Sequence, residues 1–306
     1  MSSTNAGTSH PGAAEFALLA AVSLTWGTSY MFTKIAVGAV PPFTLIAMRT
    51  IIAAVVMVAI LGLSGGMTRL SWRDIGWLAI VGLMSNAATL GLIATSVSLV
   101  DSSVTATTMS LVPLITALFA VFRGDLPTVR AVVGIAIGFA GIIVLFGPEA
   151  FASFGDSARG AAAAIGASVI FSASLFVMAR VRHLPPLMVA TGAVVFAALW
   201  TLPVAVAMDG VSLALPEPVV VAAVLVLALF NTAAANLLVF ALIARTGPAF
   251  TSYNNYLVPA VAVACGSLFL GEAFTIQSAV GVALVLAGVA VSTVSRRAPP
   301  ALPPIA

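Results

Sequence analysis

Charged residues are scarce in this chain. They make up 7% of its 306 positions, while hydrophobic residues make up 61% and the mean hydropathy is +1.20. Soluble domains normally carry about 25% charged residues, so this composition excludes a surface that faces water. The chain is therefore predicted to be an integral membrane protein, with the lipid bilayer as its surroundings.

Groups that would support catalysis or metal binding are also few. The single cysteine, Cys265, cannot form an intrachain disulfide, and the two histidines, His10 and His183, lack companion ligands. No Walker A pattern and no nucleophile with a plausible base occurs. The sequence therefore predicts a protein that is not an enzyme and that holds no cofactor or metal. The twelve basic residues are scattered rather than clustered, which argues against nucleic-acid binding.

Long apolar segments fill most of the chain. A helix needs about 20 residues to cross a bilayer core, and the continuous runs are about twice as long as the alternating strands of a membrane barrel. The first 15 residues contain no Lys or Arg and so lack the basic region of a secretory signal. We therefore predict an all-α polytopic membrane protein, with flexible tails at 1–13 and 295–306. Its ten spans are expected near 14–35, 43–63, 74–96, 102–122, 130–147, 159–180, 187–208, 218–241, 248–270 and 275–294.

The basic residues predict an orientation. With a cytoplasmic N-terminus, nine of them fall in cytoplasmic loops or the C-terminal tail, and two, Lys34 and Arg159, fall on the opposite side. This is a strong positive-inside bias, so both termini are expected in the cytoplasm. The nine are Arg69, Arg73, Arg123, Arg130, Arg180, Arg182, Arg245, Arg296 and Arg297.

An internal repeat relates the two halves of the chain. Several short motifs recur in the same order after 144 to 147 residues. Each unit contains five spans, an odd number, so the two units must enter the membrane from opposite sides. Inverted repeats of this kind are a usual construction of secondary transporters. The matches are Pro41-Pro42 with Pro185-Pro186, LVP at 111–113 with 257–259, and Gly134 and Gly141 with Gly281 and Gly288.

Three stretches resemble one transporter family. They are "WGTSYMFTK…PP…R", which begins at residue 26, "LVPLITALFAVFRGDLPTVRAVVGIAIGFAGIIVLFG", and "GPAFTSYNNYLVPAVAVACGSLFLGEAF". Together they are similar to EamA-type members of the drug/metabolite transporter superfamily. The resemblance implies two five-helix repeats, over 14–147 and 159–294, in a bacterial inner-membrane carrier of small metabolites, commonly an exporter. Within the family the branch of YddG-like amino-acid exporters is the nearest, although these motifs do not distinguish branches.

Neutral polar and aromatic residues on the helix faces are the candidate substrate site. Asparagine is costly in contact with lipid, so these residues should face the bundle interior. There they either bind a polar substrate or hydrogen-bond neighbouring helices together, and the sequence leaves both readings open. The predicted substrate-binding residues are Trp26, Tyr30, Ser85, Asn86, Thr89, Met109, Asn231, Asn236, Tyr253, Asn255 and Tyr256.

Two prolines at equivalent positions predict kinks. Pro113 and Pro259 each remove an amide donor and free the carbonyl four residues earlier, so both are candidate hinges. Arg49 is expected to pair near the outer surface, for instance with Asp101, rather than to bind substrate. No span carries an acidic residue near its middle, which argues against a proton relay built on carboxylates and favours a uniporter.

The predicted function is thus export of small neutral or zwitterionic metabolites by alternating access. Aromatic or hydrophobic amino acids are the foremost substrates, and the protein is expected to act as a monomer or weak homodimer. Two alternatives stay open at this stage: a transporter of another metabolite or drug, and a passive, channel-like membrane protein.

Overall fold

A computed structural model describes residues 12–66, 68–121, 129–146, 156–210, 217–239, 241–242, 245 and 254–293. Within these residues every regular element is helical. The helices are α1 (Ala13–Val37), α2 (Pro42–Leu63), α3 (Trp72–Leu99), α4 (Ser102–Met109), α5 (Val112–Val121), α6 (Val129–Phe146), α7 (Asp156–Met178), α8 (Pro186–Met208), α9 (Pro218–Val239), α10 (Asn254–Phe269) and α11 (Ile276–Thr293).

Six helices, α1, α2, α3, α7, α8 and α9, are long and apolar enough to cross a membrane. Shorter apolar helices over Val132–Leu145, Leu257–Phe269 and Ile276–Gly288 lie within α6, α10 and α11. Large apolar side chains such as Val55, Leu199 and Phe269 are exposed on the outside of the bundle, as lipid-facing side chains are. The all-helical class and the membrane-spanning character are therefore confirmed for the described residues.

Local sequence explains where the helices begin and end. Proline, whose fixed φ and missing N–H suit the first turn, begins α2, α8 and α9. Ser71 caps α3, accepting from the amide of Asp74, whose carboxylate accepts in return from the amide of Ser71. Glycines with positive φ follow the ends of α2, α8 and α10 by two residues, where only glycine adopts this conformation without strain. They are Gly65, Gly210 and Gly271.

The main contacts between helices of the two halves have equivalent contacts between their counterparts in the repeat. The most extensive contacts join α6 to α11 and α2 to α8. In each of these pairs the two helices occupy the same position in their repeat units. Contacts of α1 with α10 are matched by contacts of α7 with α4 and α5, and contacts of α2 with α9 by contacts of α8 with α3. Glycines permit the closest of these approaches. A Cβ atom on Gly288 of α11 would lie 2.5 Å from the carbonyl oxygen of Gly134 and 2.6 Å from the nitrogen of Gly138.

The fourth predicted span is not one continuous helix. It is interrupted at Ser110 and Leu111, which separate α4 from α5. Pro113, in the first turn of α5, has no N–H to donate to Met109, so the ladder cannot continue across this point. The hydroxyls of two α7 serines are shared with this point: Ser168 Oγ lies 3.1 Å from the carbonyl of Thr108 and Ser172 Oγ 3.1 Å from that of Val112, while each also donates to a carbonyl of α7, at 3.0 and 2.7 Å. Neighbouring Ser and Thr side chains commonly satisfy backbone groups that a broken membrane helix leaves free.

Two helices contain π-helical turns at equivalent places in the repeat. They span Gly82–Ala88 of α3 and Leu229–Ala234 of α9. In each, a threonine hydroxyl donates to the carbonyl five residues earlier: Thr89 to Met84, and Thr232 to Leu227. π-helical turns inside α-helices are frequent at functional sites. The middle of α3 and the middle of α9 are therefore candidate parts of a functional site.

Candidate functional site

A buried arginine lies within α2. Arg49 is seven residues from the helix start, about 10 Å along the axis, and is 4% exposed. Its Nε atom donates to Thr232 Oγ1 at 2.6 Å, and its Nη2 atom donates to the carbonyl of Asn231 at 3.1 Å. The expected pairing with Asp101 is therefore wrong, because α9 reaches the guanidinium two turns below the helix end. Arg49 forms no ion pair with a carboxylate of the described residues.

Asn231 connects this arginine to α1. Its Nδ2 group donates to the carbonyl of Thr25, and to Thr28 Oγ1 at 3.1 Å. Its Oδ1 atom is buried and has no partner in the described part of the chain. We call this group the Arg49 cluster; it consists of Thr25, Thr28, Arg49, Asn231 and Thr232. It joins helices from both halves of the repeat.

Three predicted site residues, Trp26, Tyr30 and Met109, are brought together beside it. Tyr30 is buried, and Trp26 and Met109 pack against the same apolar group. Trp26 and Tyr30 lie on the same segment of α1 as Thr25 and Thr28, so the apolar group and the Arg49 cluster share residues 25–30. We call this group the Tyr30 cluster; its buried members are Tyr30, Ile93, Val97, Ala106, Ala167, Val258 and Ala262. It draws on α1, α3, α4, α7 and α10.

The other described polar candidates hydrogen-bond chiefly within their own helices. Ser85 and Thr89 donate their hydroxyl protons to backbone carbonyls of α3, and the amide of Asn236 does the same in α9. Their part in binding substrate stays a prediction. The bonds run from Ser85 to the carbonyl of Val81, from Asn86 to Ser85 Oγ, from Thr89 to the carbonyl of Met84 and from Asn236 to that of Thr232, at 2.7 to 2.9 Å.

Some predicted residues lie beyond what the structure describes. Tyr253 is outside the described residues, and Asn255 and Tyr256 belong to α10 but their side chains are not described. Pro259 lies inside α10, which runs through it without a break, whereas Pro113 follows the break between α4 and α5. A hinge at either proline stays a prediction.

One end of the bundle carries two carboxylates that bind helix N-termini across the halves. We call this end, which contains Pro41, Asp101, Asp209 and Glu272, the Pro41 face. Asp209 accepts from the amide and hydroxyl of Thr44 in α2, at 2.6 and 2.9 Å. Glu272 accepts from the amides and hydroxyls of two serines that begin α4, at distances from 2.7 to 3.2 Å. These serines are Ser102 and Ser103.

A lysine and an aspartate lie close to these contacts. The Nζ atom of Lys34 donates to the carbonyls of Val97 and Val100 at the end of α3, both at 2.8 Å, so the cation stabilises a helix C-terminus. Burial raises the pKa of Asp101, and the charge of Glu272 raises it further, while Lys34 opposes the shift. The end of the bundle opposite the Pro41 face is held by a contact of 3.1 Å between Asp74 and His183.

Several residues that shape the site were not among the predicted ones. The sequence predicts pairing of Arg49 near the outer surface, although a lone cation inside a span without an acidic partner is itself a signal of a buried site. Thr232 could have been singled out because it occupies the repeat position of Asn86. Ser168 and Ser172 show only a four-residue spacing on one helix face, which gives no indication of the broken helix that they contact. No group of three or more possible metal ligands occurs among the described residues.

The helices, their lipid-facing exterior and the buried polar cluster between two repeat units define a multi-pass membrane protein. The EamA-like transporter family model matches the chain twice, at residues 14–147 and 158–294. This chain therefore belongs to the EamA-like transporter family.

Curated relatives agree with this assignment, and a solved structure shares the fold. The chain is 29% identical over 293 residues to the uncharacterized inner membrane transporter YedA of Escherichia coli strain K12, and to YedA of Escherichia coli O157:H7. The match covers 95% of this chain and 94% of each relative. A crystal structure of a protein with 21% sequence identity shares the fold, with a TM-score of 0.65 over 92% of this chain and 97% of that one.

Proposed function

We propose that this transporter exports small neutral or zwitterionic metabolites, foremost aromatic or hydrophobic amino acids, across the inner membrane. The observation that carries the proposal is that the Arg49 cluster and the Tyr30 cluster share one segment of α1, residues 25–30. A polar group with unmet hydrogen-bonding capacity beside an apolar surface suits a molecule with a polar head and an apolar side chain. The inner membrane is proposed because the relative YedA is named an inner membrane transporter.

The proposed architecture has ten transmembrane helices in two inverted five-helix repeats. The α4–α5 pair counts as the fourth helix, and the repeats span 14–147 and 159–294. The exchanged helix contacts and the two π-helical turns at equivalent places support this arrangement. The Pro41 face would be the outer side, with both termini in the cytoplasm, because the basic loops lie at the opposite end.

The proposed mechanism is alternating access. The two repeat units would move relative to one another and open the shared site first to one side and then to the other. The described spans carry no carboxylate near the Arg49 cluster, which favours uniport over exchange for protons.

The test uses purified protein in liposomes and labelled amino acids, with and without an imposed pH gradient. We expect saturable uptake of amino acids with large apolar side chains, unchanged by the gradient. Absence of uptake for every amino acid would contradict the proposed substrate class. Ion currents far faster than carrier turnover would contradict the carrier mechanism and favour a channel.

A further inference from the structure

The charge of Arg49 is buried without a compensating anion. A guanidinium has five N–H donors, and only two donor contacts, to Thr232 and to the carbonyl of Asn231, are formed in the described residues. Both acceptors are neutral. A buried cation normally pairs with a carboxylate, because removing it from water is costly, and the cost is greatest inside a membrane. The N–H groups of Arg49 that remain can bind an anionic group.

The neighbouring Asn231 has a hydrogen-bond acceptor without a partner among the described residues, whereas Arg49 has spare donors. Two acceptors, the carbonyl of Thr25 and Thr28 Oγ1, fix the side of the amide that carries Nδ2. Thr28 acts as an acceptor here because its own proton is donated to the carbonyl of Leu24 at 2.7 Å. Asn231 Oδ1 therefore points away from these groups, buried and without a partner. A buried carbonyl oxygen in this state suits a donor such as an ammonium group.

The other buried polar groups at the junction of the halves do not offer the same pair. Glu272 is engaged by Ser102 and Ser103, and Thr50 Oγ1 lies 3.0 Å from Thr201 Oγ1. Ser110 Oγ also lacks a partner, but it is a single hydroxyl at the break between α4 and α5. The Arg49 cluster alone, within the described residues, combines a spare cationic donor with a spare acceptor.

From this geometry we infer that Arg49 binds the carboxylate of the transported substrate and that Asn231 Oδ1 binds its ammonium group. The inference rests on the proposed transport of amino acids. It adds the residues that bind the carboxylate and the ammonium group of the substrate. The apolar side chain would lie against the Tyr30 cluster, beside Trp26 and Met109. The substrate class is thereby narrowed to free α-amino acids, and molecules that lack either charged group should bind poorly.

Competition in proteoliposomes tests the two contacts separately. Uptake of labelled L-phenylalanine and L-leucine is measured against unlabelled analogues that lack one charged group: the α-amide, and the acid without its amino group. For the wild-type protein we expect each analogue to compete at least tenfold less well than the amino acid. In Arg49→Gln the preference for the amino acid over its amide should disappear. In Asn231→Leu the preference over the deaminated acid should disappear.

Three further variants separate recognition from folding. Arg49→Lys keeps the charge but not the forked geometry, so it should keep a weakened preference for the carboxylate. Thr50→Val removes a buried hydrogen bond at the next position of α2, and should leave both preferences unchanged. Asn231→Asp keeps an acceptor for the ammonium group but places an oxygen against the acceptors of Thr25 and Thr28, so it should lower the stability and keep the preference for the ammonium group. If Arg49→Gln does not fold, the analogue series on wild type and on Asn231→Leu still decides the question.

The outcomes distinguish the two proposals. Equal competition by amino acid, amide and deaminated acid in the wild-type protein would overturn the assignment of Arg49 and Asn231 while transport itself stands. Unchanged preferences in the Arg49→Gln and Asn231→Leu variants would overturn it as well. No uptake of any labelled amino acid would overturn the proposed function, and this inference would fall with it.

Discussion

At the scale of single residues, a buried charged group with all its hydrogen-bond partners in the fold is structural, whereas one with spare donors or acceptors is a candidate binding group. Glu272 accepts four hydrogen bonds from the first two residues of α4, at a helix N-terminus that favours an anion. Arg49 instead has neutral partners and spare donors. Glu272 therefore has its partners within the fold, whereas Arg49 retains capacity for a ligand.

The contrast between Glu272 and Asp101 gives the first prediction. Glu272→Gln should lower the free energy of unfolding by about 1 to 3 kcal/mol, because the helix loses charge-assisted hydrogen bonds. Asp101→Asn should leave the stability at pH 7 unchanged or higher, since Asp101 makes no side-chain cap hydrogen bond and its charged form is disfavoured by burial. The measurement is thermal unfolding of both variants in the same detergent.

The pH dependence of the stability of the Asp101→Asn variant tests the direction of the pKa shift of Asp101. The pKa of Asp101 is raised in the folded protein, so its contribution to stability is present below the ordinary value of about 3.9 and is lost as the pH rises through the raised value. The stability of Asp101→Asn relative to wild type should therefore increase from pH 4 to pH 8. A decrease over this range would show that the ionised carboxylate stabilises the fold.

At the scale of helices, equivalent sequence has produced different structure in the two halves. Pro113 and Pro259 occupy the same place in the repeat, and the sequence predicts a kink at each. The chain breaks between α4 and α5 beside Pro113, yet α10 continues through Pro259. The surroundings also differ, because serines of α7 contact the carbonyls of Thr108 and Val112 on either side of the first break.

Helix starts could be predicted from the sequence, whereas contacts between distant helices could not. Hydropathy predicted the helical class and placed the starts of α2 and α8 within one residue, because these depend on local composition. The repeat offset also placed Ser85 and Asn231 at matching positions, and both lie in π-helical turns. The partners of Arg49 could not be predicted, since they depend on how α9 packs against α2 across about 180 residues of chain.

The serines of α7 give the second prediction. The double variant Ser168→Ala with Ser172→Ala removes two donors from the break, and hydrogen bonds between membrane helices contribute about 0.6 kcal/mol each. We expect the free energy of unfolding to fall by about 1 kcal/mol, seen as a lower Tm in detergent. Ser174→Ala is the control, because Ser174 Oγ, like the other two, donates within α7, to the carbonyl of Phe171, but forms no hydrogen bond to the residues described at the break. Equal Tm values for the double variant and the control would show that the break needs no support from α7.

At the scale of the whole molecule, the two halves are joined differently at different places. In the α6–α11 pair, glycines without side chains allow the two backbones to pack closely. The Arg49 cluster instead joins the halves through polar groups, some of which have no hydrogen-bond partner in the described part of the chain. Close-packed glycine contacts resist separation, because any gap loses dispersion contacts on both helices. If the halves move as proposed, we therefore expect the α6–α11 pair to stay fixed as a scaffold and the movement to be concentrated around α1, α2 and α9.

The last prediction concerns this scaffold. Gly288→Val would place a side chain against the backbone of α6, where its Cβ atom meets Gly134 and Gly138 at 2.5 to 2.8 Å. Backbone atoms cannot move aside as a flexible side chain can, so α6 and α11 must separate, and overpacking of this kind costs about 1 to 3 kcal/mol. We expect a lower Tm and partial loss of the monodisperse peak in size-exclusion chromatography. Gly62→Val in α2 is the matched control, because a Cβ atom there meets nothing within 4 Å. A Gly288→Val protein as stable as Gly62→Val would show that α6 and α11 can separate freely, and that the scaffold lies elsewhere in the bundle.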